Sequence, residues 1–320
     1  MTREIAQSTD ASPVGAMARF ALYVEVGKLK IFELWLGIPL AWSLLGAEQR
    51  GSPGNLFIMA MALLVIAGTA AASLSLDDVA GLRDGVDLAN HADTDRYGVN
   101  KPLLDGRLSE KQALGFVYVL VGIAMLGAFS MFAAAWPVPG WLVVLTFAIL
   151  IIPLNYSFGV KLSYHGLGEL LTMGAIAGSV LLPFGAVTRS LPTPVVLQSA
   201  LAGLWMLHIA IFSNTQDREG DRKARRMTIA AILSKRGNYV FIVSLFVLTW
   251  LLTAYGLFAG LLSQTTGLVL VPLWLLQIRQ LWLGVFQEKW LKARLLGFWL
   301  YRYALVALMV SNLIGHRSIL

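Results

Sequence analysis

Cysteine is absent from this sequence of 320 residues, and charged residues make up only 13% of it. The absence of cysteine excludes disulfide bonds and thiolate metal sites. The low charge excludes a soluble globule, because too few polar side chains are present to cover the surface of a protein of this size. The N-terminal stretch is polar and has no apolar core, so we expect no cleavable signal peptide.

Long apolar runs take the place of the missing charge, since hydrophobic residues account for 57% of the chain. The runs 112–160 and 237–278 contain no Asp, Glu, Lys or Arg. A membrane-spanning helix needs about 20 apolar residues, so each of these runs holds two helices. We therefore predict an all-α polytopic protein of the lipid bilayer with about nine transmembrane helices. These lie near residues 30–47, 55–76, 110–134, 140–156, 168–188, 193–214, 237–259, 265–280 and 295–315.

The basic residues are distributed unequally across these predicted helices. Of the 25 Lys and Arg residues, 21 fall on one side of the membrane, 3 fall on the other, and Arg302 lies inside the last helix. Basic loops stay on the cytoplasmic side, so the richer side, which carries the N-terminus, is predicted to be cytoplasmic. Topology thus accounts for the net charge of +7 without a nucleic-acid partner.

Aspartate is concentrated in two segments on this predicted cytoplasmic side. Nine of the ten aspartates fall in segments 77–109 and 214–236, and each segment directly follows an apolar run. If the preceding helices continue, Asp77 and Asp84 lie nearly over one another, with Asp87 one turn further. In the second segment Asn214, Asp217 and Asp221 follow the same helical spacing. Each segment therefore predicts an acidic stripe at the edge of the membrane.

Such stripes predict a bound cation, because carboxylates on one helix face repel one another. Carboxylate oxygens, with His91 as the only histidine in the two segments, favour Mg²⁺ or Ca²⁺ over zinc. Mg²⁺ prefers one or two carboxylates together with phosphate oxygens, so two facing stripes suit a diphosphate held by bridging ions. The alternative is that the aspartates are solvated charges that pair with neighbouring Lys and Arg.

Three stretches of the sequence resemble the UbiA superfamily of intramembrane prenyltransferases, which includes UbiA-type terpene cyclases. DREGDRKARRMT, at 217–228, is similar to the second aspartate motif of the family and includes its downstream threonine. NKPLLDGRLS, at 100–109, and the pattern of Tyr156, Lys161 and Gly168-Glu169 resemble two further landmarks. The first motif departs from the family, because Gly81 and Gly85 stand where carboxylates are expected.

The resemblance implies helices around a central cavity that opens sideways to lipid and is capped by the two aspartate-rich loops. It implies one transmembrane domain at 30–316, preceded by a polar, flexible segment at 1–29. It further implies two or more Mg²⁺ ions that bridge the diphosphate of a prenyl substrate. The candidate metal ligands are Asp77, Asp78, Asp84, Asp87, Asp217 and Asp221, of which all but Asp87 are also candidate catalytic residues. The candidate diphosphate-binding residues are Lys101, Lys161, Arg96, Arg222, Asn214 and Tyr156.

Three functions remain open at this point. The first is transfer of the prenyl group to an aromatic or lipophilic acceptor, and the second is intramolecular cyclisation of the prenyl chain. The third is transport, which is disfavoured because the charges lie at one membrane edge rather than at mid-membrane. Six aromatic residues are candidates for stabilising a carbocation in the cavity. They are Trp35, Tyr118, Phe147, Tyr156, Phe184 and Trp205.

Overall fold

A computed structural model of the chain describes residues 15–91 and 101–315, and within them every regular element is a helix. The α-helices are α1 (Ala16–Val26), α2 (Gly37–Leu44), α3 (Ala47–Gly51), α4 (Pro53–Asp84), α5 (Val86–His91), α6 (Glu110–Ala134), α7 (Gly140–Ile151), α8 (Gly168–Thr188), α9 (Thr193–Lys223), α10 (Ile229–Ile232), α11 (Lys235–Phe258), α12 (Gln264–Leu281) and α13 (Trp290–Ile314). Short 3-10 turns cover Phe32–Trp35, Pro153–Asn155 and Leu162–His165, and a π-turn covers Trp282–Phe286. The predicted all-α fold is confirmed.

Seven helices of the described residues are long and apolar enough to cross a bilayer. They are α4, α6, α8, α9, α11, α13, and α12 together with its π-turn. The predicted spans near 30–47 and 140–156 are the shorter segments Phe32–Leu44 and Gly140–Asn155. Both fall below the roughly 20 residues that a full crossing needs. The second loses its α-helical geometry at Pro153, which has no backbone N–H to donate. The number of nine full-length spans is therefore not confirmed.

Helix α9 is the most buried of the spans, with 83% of its most apolar window inside the bundle. It packs against α8, α11 and α13, while α4 packs mainly against α6 and α8. The two helices that lead into the aspartate-rich segments therefore share α8 as a neighbour and otherwise pack against different helices. A space remains between α4, α8 and α9, and most of the residues that line it are apolar.

The two charges that interrupt predicted spans pair with one another. Arg302 of α13 donates hydrogen bonds from Nε and Nη2 to the Glu33 carboxylate, with Nε at 2.7 Å from Oε1. Its guanidinium also lies over the rings of Phe32 and Trp299, at 4.6 and 5.1 Å from their centroids. A cation inside a membrane helix needs such a partner. The pair joins the first apolar segment to the last helix.

Candidate active site

A cavity of about 870 Å³ lies between α4, α8 and α9, with residues 28–34 along one side. Ile66 of α4 and Met206 of α9 belong to its apolar wall. Eleven residues further along each helix, about 16 Å by helical rise, Asp77 and Asp217 line the same cavity. We call the region around these two aspartates the polar end of the cavity.

The first aspartate-rich segment begins as an extension of a membrane helix. Helix α4 continues to Asp84 and ends where Gly85 takes the left-handed conformation, with φ of 74°. Asp77 therefore stands on a rigid helical backbone and faces the cavity. Its carboxylate accepts hydrogen bonds from the Ser157 hydroxyl and from Arg226, whose Nη2 is 3.3 Å from Oδ1.

Asp84 lies at the rim of the site, outside the cavity lining. Its Oδ2 accepts hydrogen bonds from Lys161 Nζ at 2.8 Å and from the Tyr164 hydroxyl at 2.9 Å. Lys161 is likewise absent from the residues that line the cavity. The structure thus brings two of the predicted site residues together as an ion pair beside the polar end.

Lys101 joins two carboxylates of the first segment. Its ammonium is 2.6 Å from Asp78 Oδ1 and 2.9 and 3.0 Å from the two oxygens of Asp87. Asp78 is buried, and Lys28 contacts the same oxygen at 3.1 Å. Burial alone would lower the pKa of Lys101, but the charges of Asp78 and Asp87 outweigh burial and raise it above its ordinary value. Lys101 is therefore a fixed positive charge at the polar end.

Asp87 reaches the cavity by passing over Gly81. After the left-handed turn at Gly85, α5 folds back and brings the Asp87 carboxylate against the α4 backbone. A β-carbon on Gly81 would lie 2.7 Å from both Cγ and Oδ2 of Asp87. Gly81 is one helical turn beyond Asp77, so Asp87 occupies the space that a side chain at position 81 would fill. The predicted single stripe of Asp77, Asp84 and Asp87 is wrong in this respect, because the helix ends before Asp87.

The second aspartate-rich segment also extends a membrane helix. Asn214, Asp217 and Asp221 of α9 all line the cavity, as their spacing predicts. Asn214 Nδ2 donates to Glu169 Oε1 at 2.8 Å, and the Thr228 hydroxyl donates to Asp221 Oδ2 at 3.1 Å. These contacts hold the end of α9 in place.

Arg226 is a central cation of the site that the sequence analysis missed. It lines the cavity between Asp77, its ion-pair partner, and the ring of Tyr156, whose centroid is 5.5 Å from the guanidinium carbon. Burial by itself lowers the pKa of Arg226, but the charge of Asp77 outweighs it and raises the pKa. Arg225 before it has φ of 57°, and this left-handed residue turns the chain back toward the cavity. The run of basic residues around Arg225 and Arg226 does not by itself predict this reversal of the chain.

Besides Lys30, two further cations line the cavity without having been predicted. Lys28 has φ of 49° and reaches Asp78 from the segment before the first apolar stretch. Arg294 of α13 has the ring of Phe298 as its neighbour, at 6.0 Å. No carboxylate of residues 15–91 and 101–315 pairs with Arg294. Neither residue belongs to a sequence motif that could have revealed it.

Several predicted residues are not brought into the site. Arg222 turns away and donates to the backbone carbonyls of Ala231 and Leu233, at 2.8 and 3.1 Å. Arg96 lies outside the described residues. Of the six aromatic candidates, Tyr156 lines the cavity. Tyr118, which is 77% exposed, faces outward from the helix bundle.

The carboxylates at the polar end fit Mg²⁺. Residues 15–91 and 101–315 contain no group of three or more His, Asp or Glu side chains gathered as a complete metal site. The cavity instead has Asp77 and Asp87 on one wall and Asp217 and Asp221 on the other. One or two carboxylates per ion, completed by water and phosphate oxygens, is the coordination that Mg²⁺ prefers. Lys101 and Arg226 add positive charge for a phosphate beside it.

Comparison with known proteins agrees with the fold. The model of the UbiA prenyltransferase family matches residues 36–303. A comparison with curated protein sequences found no significant match. A solved structure of a digeranylgeranylglyceryl phosphate synthase is similar over 92% of this chain and 99% of its own, with a TM-score of 0.64 and 15% identity.

Two archaeal structures are similar as well. A UbiA homologue from Archaeoglobus fulgidus, bound to DMAPP and Mg²⁺, aligns with 90% of this chain and 99% of its own, with a TM-score of 0.58 and 15% identity. The apo structure of a UbiA homologue from Aeropyrum pernix K1 has a TM-score of 0.55 and 17% identity over 90% of this chain and 99% of its own. At such low identities the likeness concerns the fold.

Proposed function

Because the chain belongs to the UbiA prenyltransferase family, we propose that it ionises an allylic prenyl diphosphate with Mg²⁺ and transfers the prenyl group to an aromatic or lipophilic acceptor. It is an integral membrane protein, and we propose that residues 30–316 form one domain whose aspartate-rich side faces the cytoplasm. The expected partners are the prenyl diphosphate, the acceptor and the bilayer, and we expect no nucleic acid.

The observation that carries this proposal is the polarity of one cavity. Acidic side chains of α4 and α9 line one end, and Ile66 and Met206 line the apolar part that follows. A prenyl diphosphate has the same division, since a charged head is joined to a hydrocarbon chain. The head fits between Asp77 and Asp217, and the chain fits among the apolar walls.

Ionisation breaks the bond between the allylic carbon and the diphosphate oxygen, and both electrons leave with the diphosphate. When bound, two or more Mg²⁺ ions supply Lewis-acid stabilisation of the negative charge on the leaving group. Asp77, Asp87, Asp217 and Asp221 are the candidates to hold them. Lys101 and Arg226 are fixed cations that stabilise the same charge, which is the electrostatic contribution that dominates many active sites. The acceptor then attacks the carbocation, which forms the new bond at the allylic carbon, and its proton passes to a weak base, for which the released diphosphate is available.

Arg294 supports transfer rather than cyclisation. A carbocation among apolar walls would be destabilised by a guanidinium that no carboxylate of the described residues neutralises. An acceptor with an anionic group would neutralise that guanidinium when it enters. Cyclisation remains the second candidate, because the wall beyond the polar end is mostly apolar and could fold a long prenyl chain.

Substitution of the second motif tests the metal and diphosphate site. We expect Asp217→Ala and Asp221→Ala to abolish Mg²⁺-dependent turnover and to weaken the binding of Mn²⁺ in the presence of diphosphate, measured by electron paramagnetic resonance. Asp105→Ala is the matched control, since Asp105 is exposed, lies outside the cavity lining and pairs with Arg107. Unchanged turnover and Mn²⁺ binding in both variants would refute the site.

Product analysis separates the two reactions. Purified protein is incubated with Mg²⁺ and geranyl, farnesyl, geranylgeranyl or geranylfarnesyl diphosphate, with and without a phenolic acceptor. We expect intact diphosphate until the acceptor is added. A cyclic hydrocarbon formed without acceptor would establish cyclisation instead.

A further inference from the structure

A second pocket lies on the other face of α9, away from the cavity. It has a volume of about 150 Å³ and is lined by residues of α9, of the start of α11 and of the start of α13. Asp217 faces the cavity, whereas Arg218, rotated by about 100° on the same helix, lines this pocket. The pocket is therefore separate from the proposed active site. We call it the α9–α11 pocket.

Three hydrogen-bond donors of this pocket have no acceptor among residues 15–91 and 101–315. Arg218 Nε, the Tyr239 hydroxyl and Trp290 Nε1 are buried and make no hydrogen bond within the described residues. Tyr239 lies near Glu288 and near the Trp290 indole, but neither has normal hydrogen-bond geometry with it. Buried donors are normally satisfied, so their convergence on one space indicates a ligand with acceptor oxygens.

The charges around the pocket favour an anion. Lys235 is neutralised by Glu288, with Nζ at 2.8 Å from Oε2, and Glu219 is paired with Arg222 at 3.5 Å. Arg218 has no such carboxylate in the part of the chain that the structure describes, and its Nη2 donates instead to the Leu233 carbonyl at 3.0 Å. One positive charge therefore remains at the pocket. A planar guanidinium flanked by other donors suits phosphate oxygens.

The pocket lies at the level where lipid headgroups meet the protein. Lys235 and Trp290 are the first residues of their membrane helices, and Trp and Tyr side chains are typical of this interface. Lys289 and Lys292, both exposed, add positive charge nearby. We propose that the α9–α11 pocket binds a phosphate group, supplied by the headgroup of an anionic membrane lipid. Basic pockets between membrane helices are suited to such headgroups.

Native mass spectrometry of the full chain in detergent tests the site with dioleoyl phosphatidylglycerol as the probe. We expect the wild type to retain one such lipid and Arg218→Ala to bind it about tenfold more weakly. Tyr239→Phe removes only a hydroxyl and should weaken binding about threefold, so it tests the site even if Arg218→Ala fails to fold. Arg236→Ala is the matched control, because Arg236 is exposed and outside the pocket.

A second arm distinguishes the source of the phosphate. Thermal unfolding is measured with phosphatidylglycerol, with phosphatidylcholine and with inorganic phosphate, and we expect only the first to raise the unfolding temperature in an Arg218-dependent way. Equal stabilisation by inorganic phosphate would overturn the assignment to a lipid. Wild-type retention of phosphatidylglycerol by both pocket variants would overturn the site. Neither measurement depends on turnover, so the result is independent of the proposed function.

Discussion

Replacing Gly81 by alanine tests whether Asp87 belongs to the diphosphate site. The new β-carbon would lie 2.7 Å from Cγ and Oδ2 of Asp87, whereas ordinary contacts begin at 3.4 Å. The carboxylate must therefore move by about 0.7 Å or more. That movement lengthens its hydrogen bonds to Lys101, which are now 2.9 and 3.0 Å long.

The magnitude follows from the contacts that are lost. A hydrogen bond to a charged group contributes about 1.5–3 kcal/mol, and Lys101 and Asp87 are 10% and 14% exposed, so solvent screens it little. We expect Mg²⁺-dependent binding of a prenyl diphosphate to weaken by about 10- to 100-fold. Without the clash, alanine would stabilise the helix by about 1 kcal/mol.

The assay is binding of geranyl thiodiphosphate, a slowly reacting analogue, in the presence of Mg²⁺. Gly122→Ala in α6 is the matched control, because a β-carbon there meets nothing within 4 Å. It should leave binding unchanged. A second comparison transfers the carboxylate from position 87 to position 81. Asp87→Ala should weaken binding, and the double variant that also carries Gly81→Asp should recover part of it. Binding in Gly81→Ala equal to that of the wild type would refute the reasoning.

Three further predictions concern the surrounding charges. Arg226→Ala should lower turnover by about 100-fold or more, as loss of a charge-stabilising donor does. Arg222→Ala should retain most of the turnover. Equal losses in the two variants would contradict the assignment of Arg226, rather than Arg222, to the site. Burial, together with its hydrogen bond to a carboxylate, raises the pKa of Tyr164 above its ordinary value. The contribution of the Tyr164 hydroxyl to folding stability is therefore fully present below about pH 10 and is lost as the pH rises through the folded-state pKa. Tyr164→Phe should therefore lower stability by about 1 kcal/mol at both pH 6 and pH 9, and a difference between the two pH values in thermal unfolding would be evidence against this. Arg302→Met should lower the free energy of unfolding by about 3–5 kcal/mol, and the double variant with Glu33→Gln should lower it by less. A double-mutant cycle measures this difference. Additive effects of the two substitutions would mean that the pair does not interact.

The aspartate stripes could be predicted because helical periodicity persists beyond the membrane. Asp77, Asp217 and Asp221 line the cavity as their spacing predicts, since α4 and α9 continue as helices past their apolar parts. The contribution of Asp87 could not be predicted in that way. It depends on a left-handed turn at Gly85 and on the missing side chain of Gly81, and both are features of three-dimensional packing.

The cations of the site were harder to predict than the carboxylates. Positive residues are common on this side of the membrane for topological reasons, so composition does not distinguish Arg226 from Arg222. The difference arises where α9 ends at Lys223 and the chain reverses at Arg225. Lys28 is similar, because its backbone conformation directs it to Asp78. The assignment of Lys101 to a diphosphate-binding role stays a prediction, although it lines the cavity.

The lengths of α4 and α9 predict that the site is sensitive to the thickness of the bilayer. Helices α4 and α9 have 32 and 31 residues. At 1.5 Å per residue each is roughly 46–48 Å long, against about 30 Å for the hydrocarbon core. A membrane of different thickness changes helix tilt. Since each helix carries its aspartates beyond the apolar core, a small change in tilt alters the separation of the two acidic stripes. Turnover in bilayers of graded acyl-chain length should therefore pass through an optimum.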